Sequence, residues 1–470
     1  MSKLKIFFLF FITSVVLASC SKEDGDEFVP GPSDGNNPPE KPVLTYPVNQ
    51  ATDMILFPNF KWKRSNDPDK DRVTYVMSYS TDQVNWISTE LIPTIAYMPF
   101  KALKNETTYY WKVTASDGKG GESVSDVYSF KTGKQKAYAD GESWLYTGDE
   151  TMNGPIPIIF TGDGFLPYQF VEGELFDKKV NEGIQHFFSV EPYKSLRQYF
   201  TVYKLAAHSQ EEGISRYNLD DQHLIEKVNT VFNTRYYGNG YNNTQMKTDD
   251  AKVYSYAKRI EGITDEVLAK TTIVLIANAP TYSGTCWWQS DGRTISIVPT
   301  CDGNQPYSYQ MTMVHEAGGH GFGHLADEYL YENRDATQAD KNGIIEWSNN
   351  GYNDNIDVTN DRNLVKWKHF FGVSGYGSVD CYAGAQFLNG VWMPENVSAM
   401  RDMRVLRYNA PSREAIVKRI CKGRGVAYDF EEFKRLDQPN VQQGAINATR
   451  AITYPELHIN HTPPQYGSCK

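Results

Sequence analysis

Apolar and polar positions along this chain fall into four successive patterns. Ile6 to Ala18 is an almost unbroken apolar run behind Lys3 and Lys5, too short to span a bilayer comfortably and built like an export signal. Residues 21–41 are polar and carry Pro30, Pro32, Pro38 and Pro39 among Gly, Ser and Asn, the composition of a flexible, partly extended spacer. From 42 to 132 the period is two: Phe60-Lys61-Trp62-Lys63, Tyr75 to Tyr79 and Thr108 to Ala115 alternate, with Asn/Asp/Gly/Pro turns between them. That pattern predicts an N-terminal all-β sandwich, with Tyr109, Trp111, Val113 and Ala115 on one buried face.

Beyond a polar linker near 133–153 the pattern becomes mixed. Ile156 to Phe160 predicts a strand, Glu172 to Phe188 a helix, Tyr199 to Ala207 a strand, Asp249 to Arg259 a helix and Thr271 to Ala277 a strand. Strands alternating with helices predict an α/β (α+β) domain over 140–470 with a mostly parallel sheet. Ser283 to Cys286 and Thr294 to Val298 read as a hairpin closing at Asp291-Gly292. Thr161-Gly162-Asp163-Gly164 lacks the spacing and Lys of a phosphate loop and reads as a turn.

At 470 residues the chain exceeds one ordinary core, in keeping with this division into domains. The formal net charge of -10 and the absence of a basic stripe exclude a nucleic-acid partner. Leu17-Ala18-Ser19-Cys20 resembles the bacterial lipobox, which makes 1–20 a lipoprotein signal peptide, Cys20 the lipidation site and the membrane a partner through that lipid. The acidic run Ser21 to Glu27 resembles the surface-export signal of Gram-negative lipoproteins, so the expected location is the outer membrane, facing outward. Cys286, Cys301, Cys381, Cys421 and Cys469 are odd in number, so at least one thiol stays free; Cys286 and Cys301 are placed to pair across the hairpin.

The chemistry lies in Val314-His315-Glu316-Ala317-Gly318-Gly319-His320-Gly321-Phe322-Gly323-His324-Leu325-Ala326-Asp327-Glu328-Tyr329, which holds three of the nine histidines. Zinc proteases place two His and a Glu as H-E-x-x-H, because residues four apart stand one helical turn above each other. His315 and His320 are five apart and diverge by about 140° on a regular helix, against about 40° for the usual spacing. A π-bulge at Gly318-Gly319 restores a shared face. The competing geometry, Glu316, His320 and His324 on a straight helix, has to run through four glycines that each cost up to about 1 kcal/mol. Gly323 is the expected helix end, turning left-handed and returning Asp327 toward the metal.

His315 to Tyr329 resembles the zinc motif of the IgA-peptidase family of bacterial metalloendopeptidases, which reads much like H-E-x-G-H-x-F-G-x-L-A-D-E-Y, and the resemblance spans about 140–460. It implies a metzincin-like zinc-protease fold, one catalytic Zn²⁺ on His315 and His320, Glu316 as general base and Asp327 as third ligand. Glu328 and His324 remain rivals for that third place. The extra residue between the two His departs from the family pattern. Met400, in Trp392 to Arg401, resembles the methionine turn beneath the zinc of such folds; Glu395 and Tyr408 are candidate substrate contact and oxyanion donor. The 42–132 segment resembles a fibronectin type III-like domain and shows no catalytic constellation.

These residues imply peptide hydrolysis by a metal-activated water, with a protein or peptide substrate lying along Ser283 to Trp288 and Trp287 or Trp288 lining subsites. Asn353, Asn355, Asp357, Thr359 and Asp361 recur every second residue, as the ligands of a structural Ca²⁺ can. Two other functions fit parts of the sequence: a glycan- or protein-binding lipoprotein with a degenerate protease domain, and an amidase acting on cell-wall peptides. Glu316 speaks against the first.

Overall fold

The computed structural model describes residues 35–218, 222–238, 245–301, 307–448 and 464–466. Cys20, the apolar run before it and the acidic stretch after it lie outside the described residues. No helix among those described is long and apolar enough to cross a membrane.

The first nine strands are β1 (Leu44–Tyr46), β2 (Ala51–Met54), β3 (Phe60–Trp62), β4 (Thr74–Ser80), β5 (Ile87–Ser88), β6 (Ala96–Tyr97), β7 (Thr108–Ser116), β8 (Glu122–Val124) and β9 (Tyr128–Thr132). They form two sheets, ordered β1-β3-β6 and β2-β9-β7-β4-β5 with β8 on β7. Phe60 and Trp62 of one sheet meet Tyr75, Met77, Trp111, Val113 and Phe130 of the other in a single core. The alternating face of β7 is buried throughout: Tyr109, Trp111, Val113 and Ala115 are at most 5% exposed. A small apolar contact, Leu56 and Phe57 against Val171, joins this unit to the rest of the chain.

The larger unit is built on a seven-stranded sheet comprising β10 (Ser143–Leu145), β11 (Ile156–Asp163), β12 (Phe200–Leu205), β17 (Thr272–Ala277), β18 (Thr285–Trp288), β19 (Thr294–Pro299) and β24 (Gln465–Tyr466). Its order is β10-β12-β11-β17-β19-β18-β24. β12, β11, β17 and β19 run parallel, whereas β10 and β18 are antiparallel to their neighbours. The sheet is buried on both faces, as parallel sheets must be. Ile158, Phe160, Val274 and Ile276 face one core, and Ile159, Ile273 and Leu275 face the other.

Helix α1 (Leu175–Phe187) covers the first face, because Phe176, Val180, Ile184 and Phe187 recur at helical spacing and all enter that core. Helix α2 (Asp250–Ala257) starts on the Asp249 carboxylate, which caps Lys252 N, and presents Val253, Tyr256 and Ala257 to the opposite core. The predicted hairpin is β18 and β19, with Gly292 at φ 94° in its turn.

The predicted turn at Thr161 to Gly164 is instead the end of β11, which runs through Asp163; only Gly164, at φ 78°, leaves the strand. Strand form persists because the buried Asp163 carboxylate accepts Ser209 Oγ, Thr230 Oγ1 and the backbone N–H groups of Phe232 and Thr234. Those bonds fix the start of a small four-stranded sheet made of β13 (Ser215–Tyr217), β14 (Leu224–Glu226), β15 (Arg235–Tyr237) and β16 (Gln245–Lys247).

Cys286 and Cys301 are both buried and no disulfide joins them, so the hairpin is not closed by one. The C-terminal half adds α3 (Gln338–Asn349), α4 (Ala410–Arg424) and α5 (Phe430–Ala448) around two short strand pairs, β20 (Leu330–Glu332) with β22 (Gln386–Phe387) and β21 (Tyr382–Ala383) with β23 (Trp392–Met393).

Candidate metal centre

One α-turn, Tyr309–Thr312, leads into a π-helix over Met313–Phe322. The local widening expected at one glycine pair thus extends over ten residues. With i→i+5 bonding, residues five apart stand one turn above each other, which brings His315 over His320. A wide helix bonds its carbonyls poorly, and here side chains from outside take them up. Tyr408 Oη donates to Val314 O (2.5 Å), Ser296 Oγ to Glu316 O (2.9 Å), Tyr193 Oη to Gly318 O (2.6 Å), Trp288 Nε1 to His320 O (3.0 Å) and Thr294 Oγ1 to Gly321 O (3.1 Å).

The glycines serve close approach. A Cβ on Gly318 would meet Tyr408 Oη, and one on Gly319 would meet the Met400 thioether. Gly323 does not turn left-handed as expected: its φ is -71°, and it is glycine because a Cβ would stand 2.6 Å from Gly319 O. The left-handed residue is His324, at φ 55°.

Within this frame His315 Nε2 lies 3.0 Å from His320 Nε2, and Asp327 Oδ1 lies 2.9 Å and 3.2 Å from those two atoms. His315, Glu316, His320 and Asp327 are all 0% exposed. His315 Nδ1 faces Ala399 O at 2.9 Å and His320 Nδ1 faces Leu325 O at 2.7 Å. A carbonyl can only accept, so each Nδ1 carries the proton and each Nε2 presents a lone pair. Two lone pairs and a carboxylate oxygen therefore converge in a buried space. Such an arrangement repels itself unless a cation lies between them. Asp327 Oδ1 is buried without a hydrogen bond of acceptable geometry. Ligands about 2.0 to 2.1 Å from a tetrahedral zinc stand about 3.3 Å apart, close to the triangle seen, so the three residues fit zinc.

Burial raises the Asp327 pKa, but the two imidazoles, when protonated, outweigh it and hold the carboxyl far below the ordinary range, so this oxygen favours positive charge beside it. Asp327 Oδ2 accepts Tyr331 Oη at 2.7 Å, which leaves Oδ1 to the triangle. Tyr331 was not legible as a site residue, because nothing in the motif says which oxygen of Asp327 turns inward. Glu316 sits beside the loop before β18, where a Cβ on Gly284 would stand 2.9 Å from Glu316 Oε1.

The other sequence candidates fall around this centre, most of them with structural duties. Glu328 is not in the triangle: Oε1 accepts Asn355 Nδ2 (2.8 Å) and Asn409 Nδ2 (2.7 Å), and burial pushes its pKa up to about 7. Met400 packs under Gly319, and its carbonyl accepts Glu328 N at 2.8 Å. Tyr408, expected as an oxyanion donor, has its single proton committed to Val314 O inside the fold and is 0% exposed. Glu395, expected at the cleft, accepts Ala410 N at 3.0 Å and so caps the positive end of α4. Trp288, expected to line a subsite, is buried beneath the π-helix, and Trp287 Nε1 donates to Met246 O at 2.9 Å on the other face of the sheet.

His324, the other rival for the third place, is buried and lies outside the triangle, which removes the straight-helix geometry. Its ring stacks on Tyr352 at 3.8 Å and 5°, and Arg419 Nη1 approaches its Nδ1 at 3.0 Å. Burial, then the Arg419 guanidinium, hold this imidazole well below its usual pKa and keep it neutral. His324→Ala should therefore retain the metal yet lower stability by about 1 to 3 kcal/mol, from the lost stack on Tyr352 and the cavity left by a buried ring. Metal content and a thermal melt check both halves of this expectation.

The expected calcium loop carries a built-in cation instead. Lys366 Nζ donates to Asn353 O (2.6 Å), Ile356 O (2.8 Å) and Ser348 Oγ (2.8 Å). Asn355 is spent on Ala326 and Glu328, and the Asp357 carboxylate accepts the backbone N–H groups of Val358 and Lys366. The acidic side chains are thus bonded within the protein, and an ammonium fills the place of an ion.

Comparison with known proteins places this geometry. Residues 147–375 match the family described as IgA Peptidase M64. No curated protein matches the chain significantly. Among solved structures, a fibronectin type-III domain of human fibronectin type III domain containing protein 3 is 27% identical, with a TM-score of 0.18, over 22% of this chain and 93% of that one. A beta-1,2-glucanase from Parabacteroides distasonis is 22% identical, with a TM-score of 0.17, over 22% of this chain and 14% of that one. The PKD domain of an M14-like peptidase from Thermoplasmatales archaeon SCGC AB-540-F20 is 21% identical, with a TM-score of 0.17, over 21% of this chain and 100% of that one. The matched segment includes His315, Glu316, His320 and Asp327, so the part of the chain that carries the triangle is similar to the IgA Peptidase M64 family.

Proposed function

We propose that this protein is a zinc-dependent endopeptidase that hydrolyses peptide bonds of extracellular proteins. The observation that carries the proposal is the buried convergence of His315 Nε2, His320 Nε2 and Asp327 Oδ1 with both Nδ1 protons turned onto carbonyls. Zinc held there would lower the pKa of a water toward about 7 and offset the charge that develops on the scissile carbonyl oxygen. Glu316 takes the proton of the attacking water as its oxygen bonds to the carbonyl carbon, and delivers that proton to the leaving amine as the C–N bond breaks. Ala399 O and Leu325 O fix the tautomers and orientation of the two imidazoles, and Tyr331 holds Asp327 to one inward oxygen.

In the same proposal the larger unit, 140–470, is a metzincin-like domain, with Met400 as its methionine turn. The unit at 42–132 is a fibronectin type III-like spacer. Residues 1–20 are the signal peptide and 21–41 the tether that holds the enzyme, through a lipid on Cys20, on the outer membrane of a Gram-negative cell. Labelling with a palmitate analogue, with and without Cys20→Ser, tests the anchor; equal labelling would remove it.

The central test is elemental analysis and cleavage of fluorescein-labelled casein, with and without chelator. One zinc per chain and chelator-sensitive, zinc-restorable cleavage are expected; a chain that cleaves without metal sinks the reading. Tyr331→Phe should weaken zinc about 10- to 100-fold in a chelator competition, the range typical of partners that orient a ligand. An unchanged zinc affinity would show that Asp327 does not depend on this hydroxyl.

A further inference from the structure

The outer edge of β18 is already occupied. β24 pairs with it in parallel, Trp287 opposite Gln465 and Trp288 opposite Tyr466. Gln245 Nε2 donates to Gln465 Oε1 at 2.9 Å, and Pro464 is buried. Gly284, the residue immediately before β18, stands against Glu316. An extended peptide with its scissile bond at Glu316 advances about 3.3 Å per residue along this strand, so its third residue reaches Trp287. The chain's own segment lies on that line. The groups that would carry the chemistry, meanwhile, have no exposed surface.

From this juxtaposition we infer that segment 464–466 is an internal competitor of the peptide substrate, holding the enzyme in a latent form until displaced. The inference rests on the peptidase reading above. The contact is made to be displaceable: β24 is two residues long, and parallel pairing is the weaker kind per residue. A longer substrate strand pairing with the same edge replaces these bonds with more of them. Residues 449–463 join α5 to β24 in the same chain, so the competitor acts intramolecularly, and tethering of this kind raises an effective concentration to the order of millimolar. Even a weak contact at that concentration competes with substrate.

The test compares the full chain with a chain ending at Ala448 and with the double variant Gln465→Pro/Tyr466→Pro. In a strand one of two successive N–H groups faces the neighbour, so replacing both removes the donor with the rest of the chain intact. Both variants should lower KM for labelled casein about three- to tenfold, with kcat unchanged. Adding the peptide Thr-Pro-Pro-Gln-Tyr in trans should restore the higher KM competitively. An activity-independent arm measures anisotropy of labelled casein on Glu316→Gln, where loss of the segment should tighten binding by the same factor. An unchanged KM and an unchanged anisotropy in a folded double variant overturn the inference and leave the peptidase reading intact. A full chain without zinc or cleavage overturns that reading instead.

Discussion

Glu316→Gln should bind one zinc per chain and cleave labelled casein at least about 100-fold, and up to about 10,000-fold, more slowly than the parent. The substitution keeps the shape of a residue that is 0% exposed and removes only its capacity to accept a proton. The ligand triangle is built from His315, His320 and Asp327, so metal content should not change. The fall should therefore appear in kcat, because proton transfer in the transition state is lost while the approach of the peptide is not. A variant that retained zinc and full kcat would show that another group receives the water proton. The two other glutamates that the sequence offers near the motif are committed elsewhere: Glu328 is bound to Asn355 and Asn409, and Glu395 caps α4.

Asp327→Asn should lose the metal. The change leaves the side chain nearly isosteric but replaces the anionic oxygen that faces both Nε2 atoms with a neutral amide. Zinc affinity should fall by more than the about 100-fold typical of an orienting partner, since a ligand itself is altered. Stability gives a second readout. An ion present at about 1,000 times its dissociation constant stabilises the native state by about 4 kcal/mol, equivalent to about 4 to 6 °C in the melting temperature of a chain this large. Chelator should lower the parent's melting temperature by that order and leave Asp327→Asn unmoved. Equal chelator sensitivity in both proteins would remove Asp327 from the ligand set and reopen the place for Glu328.

Periodicity alone places much of the framework. Alternation in Thr108 to Ala115 predicts the buried face of β7, and the spacing of Phe176, Val180, Ile184 and Phe187 predicts the contact face of α1. Both readings depend only on which side chains avoid water, which is local information. The same logic fails for Trp288, Tyr408 and Glu395. Each is polar or aromatic near the motif, yet each spends its polar atom on a backbone group far away in sequence. A run of residues does not say which carbonyl or amide will need a partner.

The metal motif divides along the same line. Its histidines, its glutamate and the five-residue spacing are properties of the chain, and the spacing by itself rules out a regular α-helix as their joint support. That the helix is π-wound over ten residues was decided by tertiary structure, because donors from Tyr193, Trp288, Thr294, Ser296 and Tyr408 must be present to take up its carbonyls. So was the choice of Asp327 over its neighbour Glu328: adjacent carboxylates have equal chemistry in sequence, and only the fold gives one to two imidazoles and the other to two amides. Chemical identity is carried residue by residue, whereas direction is set by packing between segments distant along the chain.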